Sequence, residues 1–357
     1  MGEDYKKTAA SYLDRLDPTA TRRIKGLRLV AAYGIAVLIG TTRGLTHSLS
    51  SGASLGALAG GFALWASVSE GRTQRRTSVR DLAILAMAAA LGAAIMITLA
   101  PILSGPHHPG SELTLVTGAF LVGYLRRFGP LGTGIGSQIY IGQLLAYTGS
   151  LTHADLRMVA EAGLIAAAAA IIPRLLCHPW EHPKYAPAAS ESVALVAHTK
   201  TLELRMGLQS AIAALVIVAI NDSIGLQESA WAITACTYVI TSSTSGTIDR
   251  VRRRILGTMV GVPLGLLFLP IARHLPLLGW IAAALAMILY SMSLPERYDI
   301  ACGAFAFTLI VTLVISGETS IPVLAARAWE TLLGGVLGLA TAIFIVPLRQ
   351  QNPQPDT

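Results

Sequence analysis

Charged residues are scarce in this chain, and their scarcity excludes most soluble folds. Asp, Glu, Lys and Arg make up 13% of its 357 residues, whereas soluble domains contain about 25%. Apolar residues reach 53% and fall in long runs, for example at 82–99, 162–172 and 332–346. A soluble protein of this length would need a charged surface. The composition therefore predicts an integral membrane protein.

Several functional motifs are also missing. The cysteines number only 3 and are scattered, so no disulfide framework is indicated. The net charge of +7 comes without an aromatic-rich basic patch, which argues against nucleic-acid binding. There is no Walker phosphate-binding loop and no other catalytic constellation, so we expect neither an enzyme nor a cofactor. No apolar core precedes residue 27, so no cleavable signal peptide is expected.

One sequence matches a metalloprotease pattern on paper. His178-Pro-Trp-Glu-His182 has the His-x-x-Glu-His order, but that mechanism requires both histidines on one face of a regular helix. Pro179 and Pro183 argue against such a helix. We therefore predict no metal site.

The apolar segments divide into two groups of six. A polar tail (1–26) precedes the first group (27–176), a Pro-rich linker (177–203) separates the groups, and a second tail (348–357) follows the second group (204–347). The predicted segments lie at 27–41, 51–69, 80–101, 111–125, 131–148, 156–175, 204–221, 226–243, 254–271, 275–294, 299–316 and 327–347. Several are shorter than the roughly 20 residues of a perpendicular membrane helix. We predict an all-α polytopic membrane protein with twelve transmembrane helices, within a range of ten to twelve.

The basic residues predict the orientation. With both termini in the cytoplasm, 23 of the 27 lysines and arginines lie in inner loops and tails, as the positive-inside rule requires. The outer group contains only Arg43, Arg157, Arg273 and Arg327.

The two groups resemble each other at an offset of about 170 to 174 residues. Arg80 followed by Gly92 matches Arg253 followed by Gly265, and Arg157 with Glu161 matches Arg327 with Glu330. Because six helices per group is an even number, the repeats would be parallel and related by an axis along the membrane normal. Chance similarity between segments rich in Ala, Gly and Leu is the alternative.

A stretch from Ser245 to Gly265 combines a charged end with a smooth apolar body. Four arginines (Arg250, Arg252, Arg253, Arg254) lead into glycines at 257, 261 and 265. Glycines four residues apart line one face of a helix, where another membrane helix can approach closely. The corresponding stretch of the first group, from Arg72 to Gly92, has alanine in place of most of these glycines.

The second group resembles the integral membrane domain of the fusaric acid resistance family, which overlaps the aromatic acid exporters. The resemblance covers about 200–347. It comprises Trp231 in Ser-Ala-Trp-Ala-Ile-Thr, Arg254-x-x-Gly257-Thr258-x-x-Gly261-x-x-x-Gly265, Tyr298-Asp299, and Arg327-x-x-Glu330-Thr331-x-x-Gly334. The membrane domain of plant aluminium-activated malate channels is similar. This sequence departs from the large exporters in its short linker, where they carry a cytoplasmic domain.

The resemblance implies export of small organic anions, classically aromatic carboxylic acids, from the cytoplasm of a bacterium across its inner membrane. We expect proton coupling and alternating access between the repeats. Two alternatives remain open: a passive anion channel, and a non-transporting envelope-maintenance protein. Expected partners are organic anions, protons and lipids; a periplasmic adaptor protein and a homo-oligomer are further expectations.

Two polar stripes are candidates for the substrate path. Their members are Trp231, Thr234, Tyr238 and Thr241 in one segment, and Tyr140, Gln143 and Tyr147 in another. Their spacing places each set on one helix face, suited to aromatic stacking and carboxylate binding; plain helix contact is the alternative. Arg253 and Arg254, predicted at a helix start, would gather anions near its positive dipole end, or merely set topology.

Acids in membrane helices are the candidates for proton coupling. Glu330 and Glu161 each have an arginine within one turn, Arg327 and Arg157, so local ion pairs are the alternative. Asp299, just inside a helix start, is the third candidate and would otherwise be an N-terminal charge partner. We expect Glu330→Gln to abolish export driven by a pH gradient.

Overall fold

The computed structural model describes residues 21–44, 54–71, 74–104, 110–177, 200–226, 229–317 and 320–345. Within these ranges the regular structure is helical throughout. The helices are α1 (Thr21–Gly44), α2 (Leu55–Ser69), α3 (Arg75–Leu103), α4 (Gly110–Tyr124), α5 (Gly129–Thr148), α6 (Leu156–Cys177), α7 (Lys200–Ile224), α8 (Ser229–Val239), α9 (Thr244–His274), α10 (Pro276–Ser293), α11 (Tyr298–Ile315) and α12 (Ile321–Ala340). Short 3₁₀ turns precede α5 and α6, and a π-helical turn follows α12.

Each predicted apolar segment overlaps one of these helices, so the all-α polytopic membrane fold is confirmed. Among the described residues, 8 helical stretches are long and apolar enough to cross a membrane, and α2 is a shorter apolar helix. The number of membrane crossings therefore stays a prediction. The histidine motif at 178–182 and the predicted tail at 348–357 lie outside the described residues.

The two halves, α1–α6 and α7–α12, contain matching helix contacts. In the first half α3 packs against α5 and α6, and α2 packs against α6. In the second half the equivalent pairs, α9 with α11 and α12, and α8 with α12, are also in contact. These matched contacts support the two-repeat organisation, which was predicted from the offset in the sequence.

Contacts between the halves are reciprocal as well. Helix α4 packs on α7, and its counterpart α10 packs on α1, the counterpart of α7. Both crossings are close at a glycine: Gly26 of α1 faces Ile288 of α10, and Gly207 of α7 faces Phe120 of α4. Exchange of equivalent contacts between two halves is what a pseudo-twofold axis produces.

The glycine face of α9 lies against α11, so the predicted close helix contact is confirmed. A Cβ atom at Gly257 would overlap the carbonyl oxygen of Asp299, and one at Gly261 would overlap the carbonyl oxygen of Gly303. The first half achieves an equally close α3–α5 crossing with fewer glycines on α3. There a Cβ at Gly142 of α5 would overlap the carbonyl oxygen of Ala89.

The start of α9 differs from the prediction. The helix begins at Thr244, about ten residues earlier than the apolar pattern indicates, because Ser243 caps it by accepting from the Gly246 N–H at 3.1 Å. An Asp249–Arg253 pair at 2.8 Å supports the polar turns. Arg253 and Arg254 therefore lie in the third turn, so the expectation that they sit beside the positive helix end was wrong.

Loops that the charge pattern predicts on the cytoplasmic side lie near one another. The Lys25 ammonium donates to the carbonyls of Val68 and Glu70, at 3.0 and 2.6 Å, and Arg22 pairs with Glu296 at 2.5 Å. We call this the inner end of the molecule and the opposite end the outer end.

Candidate functional site

A cavity of about 630 Å³ lies between the two halves, within the ~300–1,000 Å³ typical of small-molecule sites. We call it the chamber. Its wall is built by α1, α2 and α5 of the first half and by α8 to α11 of the second, with single contributions from α4 and α12.

The middle of the chamber is aromatic. Phe305 of α11 lies 5.4 Å from Trp65, 6.4 Å from Trp231 and 6.3 Å from Tyr290, measured between ring centroids. Tyr33 and Trp280 form a second ring pair in the wall, with centroids 6.1 Å apart. Such tilted and edge-to-face rings leave faces and edges on which a flat aromatic ligand can stack.

Three arginines line the inner end of the chamber: Arg126, Arg250 and Arg254. Among the described residues that line it there is no Asp or Glu. The guanidinium of Arg250 lies 5.0 Å from the ring centroid of Tyr298, and Nη1 of Arg254 donates to the hydroxyl of the same tyrosine at 3.4 Å. This end of the chamber is therefore positively charged without a balancing carboxylate in its wall.

Arg126 and Arg254 each retain hydrogen-bonding capacity. The Nε atom of each is buried and has no acceptor among the described residues, and the one bond of Arg126, from Nη1 to the Ile240 carbonyl, is long at 3.4 Å. Burial and the neighbouring charge of Arg250 lower the pKa of Arg126 to about 10. An anion beside these groups would accept their unmade hydrogen bonds, and its charge would favour the charged form of Arg126.

The structure places Trp231, Thr234 and Tyr238 of the first predicted stripe in the chamber wall. The hydroxyl of Tyr238 shares a 2.7 Å hydrogen bond with Ser137 of α5, so it also joins the two halves. Thr241 lies beyond the end of α8, where its hydroxyl donates to the Ser243 carbonyl at 2.9 Å. It is not part of the chamber.

The second stripe faces away from the chamber and makes helix contacts. The Tyr140 hydroxyl bonds to that of Thr234 at 2.8 Å, Gln143 donates to Thr117 at 3.0 Å, and Tyr147 donates to Glu112 at 2.7 Å. The adjacent face of α5 lines the chamber instead, through residues that include Thr133, Ser137 and Thr148. A polar stripe indicates that a membrane helix contacts protein or a cavity, but it does not show which of its faces lines the cavity.

Of the two candidate arginines, only Arg254 lines the chamber. Arg253 points to the inner surface, where it pairs with Asp249 and donates to the Glu296 carbonyl at 2.7 Å. The sequence interpretation treated Arg126 and Arg250 as topology signals only. Arg126 comes just after a predicted span, and Arg250 comes one helical turn before Arg254. These positions were the available clue.

The three candidate acids lie outside the chamber wall. Glu330 is completely buried in α12. Glu161 is partly exposed and pairs with Arg157 at 3.4 Å, and Asp299 pairs with Arg297 at 3.0 Å. Nothing is described of the Arg327 side chain. Within the described ranges, no cluster of acids, histidines and cysteines has the geometry of a metal site.

The fold and the chamber define a class: a multi-pass helical membrane protein with a ligand-sized cavity between two halves. Residues 212–341 match the family model described as fusaric acid resistance protein-like, so this segment of the chain is similar to that family. The similarity suggests a membrane transport or efflux role. No curated protein and no solved structure matches the chain.

Proposed function

We propose that this protein exports small aromatic carboxylic acids across a bacterial inner membrane and is driven by the proton gradient. One observation carries the substrate class: an aromatic chamber in which the charged wall residues, among those described, are three arginines. A ring stacks on Trp65, Trp231 or Phe305, and its carboxylate meets Arg254 and Arg126 at the inner end. Buried carboxylates need such partners.

The location of the arginines supports the direction of transport. The charge pattern predicts that the inner end faces the cytoplasm, where an exporter collects its substrate. Because walls from both halves enclose the chamber, a relative movement of the halves would expose it to one side and then the other. Such movement is the basis of alternating access.

The roles of individual residues follow from their positions. Arg254 and Arg126 bind the carboxylate, while Trp231, Thr234 and Tyr238 line the path. Tyr140, Gln143 and Tyr147 support the wall from behind. Of the acids proposed for proton coupling, Glu330 is the stronger candidate because it is completely buried, whereas Glu161 and Asp299 are only partly buried.

Cys302 provides a direct binding assay, since its thiol lines the chamber whereas Cys177 and Cys236 do not. In the full-length protein with Cys177→Ser and Cys236→Ser, benzoate should slow alkylation of Cys302 by N-ethylmaleimide. Cyclohexanecarboxylate, which has the charge but no π face, should protect less. Benzyl alcohol, which has the ring but no charge, should protect least. Equal protection by all three would exclude an aromatic-acid site.

Transport is tested in proteoliposomes loaded with labelled benzoate. We expect efflux that depends on an imposed pH gradient and is accompanied by proton movement. A steady anion current without proton flux would instead identify a passive channel. Neither signal would favour a non-transporting role in the envelope.

A further inference from the structure

Glu112 is a buried carboxylate at the outer end, in the first turn of α4, where only 2% of the residue is exposed. Its Oε1 accepts from the Tyr147 hydroxyl at 2.7 Å and from the Ser229 hydroxyl. The Asn221 amide donates to both carboxylate oxygens, at 3.0 and 2.9 Å. We call these four residues the Glu112 cluster. It joins α4 and α5 of the first half to α7 and α8 of the second.

Among the residues that the structure describes, the cluster has no counter-charge. None of the ion pairs formed between described residues includes Glu112. The titratable groups nearest to it on the packed helices are Tyr147 itself on α5 and Asp222 on α7, whose side chain is exposed. Those of α3 (Arg75, Arg76, Arg80, Asp81) lie at the inner end, as does Tyr124 of α4, and α8 contributes Cys236 and Tyr238 deeper in the molecule. Within the described part of the chain, neutral donors and the N-terminal end of α4 stabilise the charge.

The hydrogen-bond shell accommodates either protonation state. Oδ1 of Asn221 accepts from the Leu226 N–H at 2.7 Å, which fixes the amide so that Nδ2 always donates to Glu112. The hydroxyls of Tyr147 and Ser229 can each donate or accept. A proton on Oε1 can therefore be donated to one hydroxyl, which turns to accept it, while Oε2 continues to accept from Asn221.

Acids that lie beside arginines are less suited than Glu112 to gaining a proton. Glu70 lies 3.4 Å from Arg28, and Glu161 lies 3.4 Å from Arg157. A guanidinium has only donors, so a protonated carboxyl facing it would lose its partner. The shell of Glu112 contains no group of that kind among the described residues.

We propose that Glu112 is a proton-binding site of the transport cycle, loaded from the outer side. The proposal rests on the proposed proton-driven export. Proton uptake converts charge-assisted hydrogen bonds into neutral ones, which are about half as strong. Because Asn221 and Ser229 belong to the opposite half, protonation weakens one contact that holds the halves in this arrangement. A group that binds the proton differently in two arrangements couples proton binding to the movement between them.

Infrared difference spectroscopy on the full-length protein tests the proton site without any substrate. Acidification should produce a carbonyl band of a protonated carboxylic acid that is missing in Glu112→Gln and kept in Asp222→Asn, a matched control one residue from Asn221. In Ser229→Ala, which removes one donor to the charged form, the band should appear at higher pH than in the unmodified protein. An identical band in Glu112→Gln would overturn the proposal, as would an unshifted band in Ser229→Ala.

Transport separates the proton role from a structural one. In proteoliposomes Glu112→Gln should reduce pH-gradient-driven benzoate export at least tenfold while benzoate exchange without a gradient stays within threefold. Loss of exchange together with gradient-driven export would make Glu112 a structural residue and overturn the proposal. If benzoate is not transported at all, the proposed function fails; the infrared band then still decides whether Glu112 takes up the proton.

Discussion

In the first half α3 crosses α5, and in the second half α9 crosses α11, but the same offset in the sequence puts different chemistry at the two crossings. Asp81 and Leu85 of α3 correspond to Arg254 and Thr258 of α9. Arg254 and Thr258 line the chamber of about 630 Å³. Asp81 and Leu85 instead line a pocket of about 10 Å³, and Leu85 is 1% exposed.

This comparison shows how two similar helix crossings can differ in the cavity beside them. The helix contacts are kept in both halves because they hold the fold together. The cavity is formed on one side only, where small and cationic side chains replace a leucine and a carboxylate. The halves therefore share a scaffold but contribute unequally to the chamber.

The largest effect should come from removing the charge at one of these two equivalent positions. Arg254→Gln removes a charged donor from the chamber, so we expect benzoate affinity to fall about 100-fold, or roughly 3 kcal/mol. Asp81→Asn alters the small pocket and should leave affinity within threefold. Protection of Cys302 against alkylation measures both. Equal losses in the two variants would mean that the halves contribute alike.

A second prediction concerns the two close crossings. Gly261→Ala in the second half and Gly142→Ala in the first each place a Cβ against a backbone carbonyl, so each should destabilise the fold by about 1–3 kcal/mol. Gly335→Ala is the control, since the nearest atom to its Cβ would lie at an ordinary 3.5 Å. Thermal unfolding in detergent, followed by circular dichroism, reports the three values. A neutral Gly142→Ala would show that the first-half crossing is looser than the second.

The smallest effect should come from the inner connections between the halves. Arg22 of the first half pairs with Glu296 in the α10–α11 loop, and the flanking Leu294 and Tyr298 line the chamber. Hydrogen bonds from Arg22 hold the pKa of Glu296 below its usual value. The pair is therefore intact at neutral pH and is lost as the pH falls through that lowered pKa. Being exposed, it stabilises the fold by less than about 1 kcal/mol.

Glu296→Gln should consequently raise the alkylation rate of Cys302 a few-fold with little loss of stability. The reversed pair, Arg22→Glu with Glu296→Arg, should restore the original rate. If the reversed pair labels as fast as the single variant, the ion pair does not restrict access to the chamber.

The helical membrane fold could be predicted from the sequence in considerable detail. Long apolar runs separated by basic loops leave few alternatives, because a lipid-embedded backbone must satisfy its own hydrogen bonds. The predicted contact of the glycine face was also correct, since glycines spaced by four residues have one common use in membrane helices. The start of α9 was misjudged, because a capped, ion-paired polar turn extends the helix beyond its apolar part.

The site was predictable only in part. Trp231, Thr234 and Tyr238 were selected by their spacing, and they line the chamber. Tyr140, Gln143 and Tyr147 satisfied the same criterion but face helices, because a periodic polar stripe has the same appearance against protein as against a cavity. Arg126 and Arg250 resembled ordinary topology charges, and Glu112 an ordinary helix-start acid.

The sequence by itself determined the membrane character, the helices, their predicted orientation and the similarity of residues 212–341 to one family, because these depend on composition and on local patterns. Only the tertiary structure decided which side chains from α5, α8, α9 and α11 share the chamber. It also decided that Glu112 connects the two halves. Those neighbours are far apart in the chain. Their proximity depends on how the helices pack against one another, with axes about 8–10 Å apart. No local sequence pattern specifies that packing.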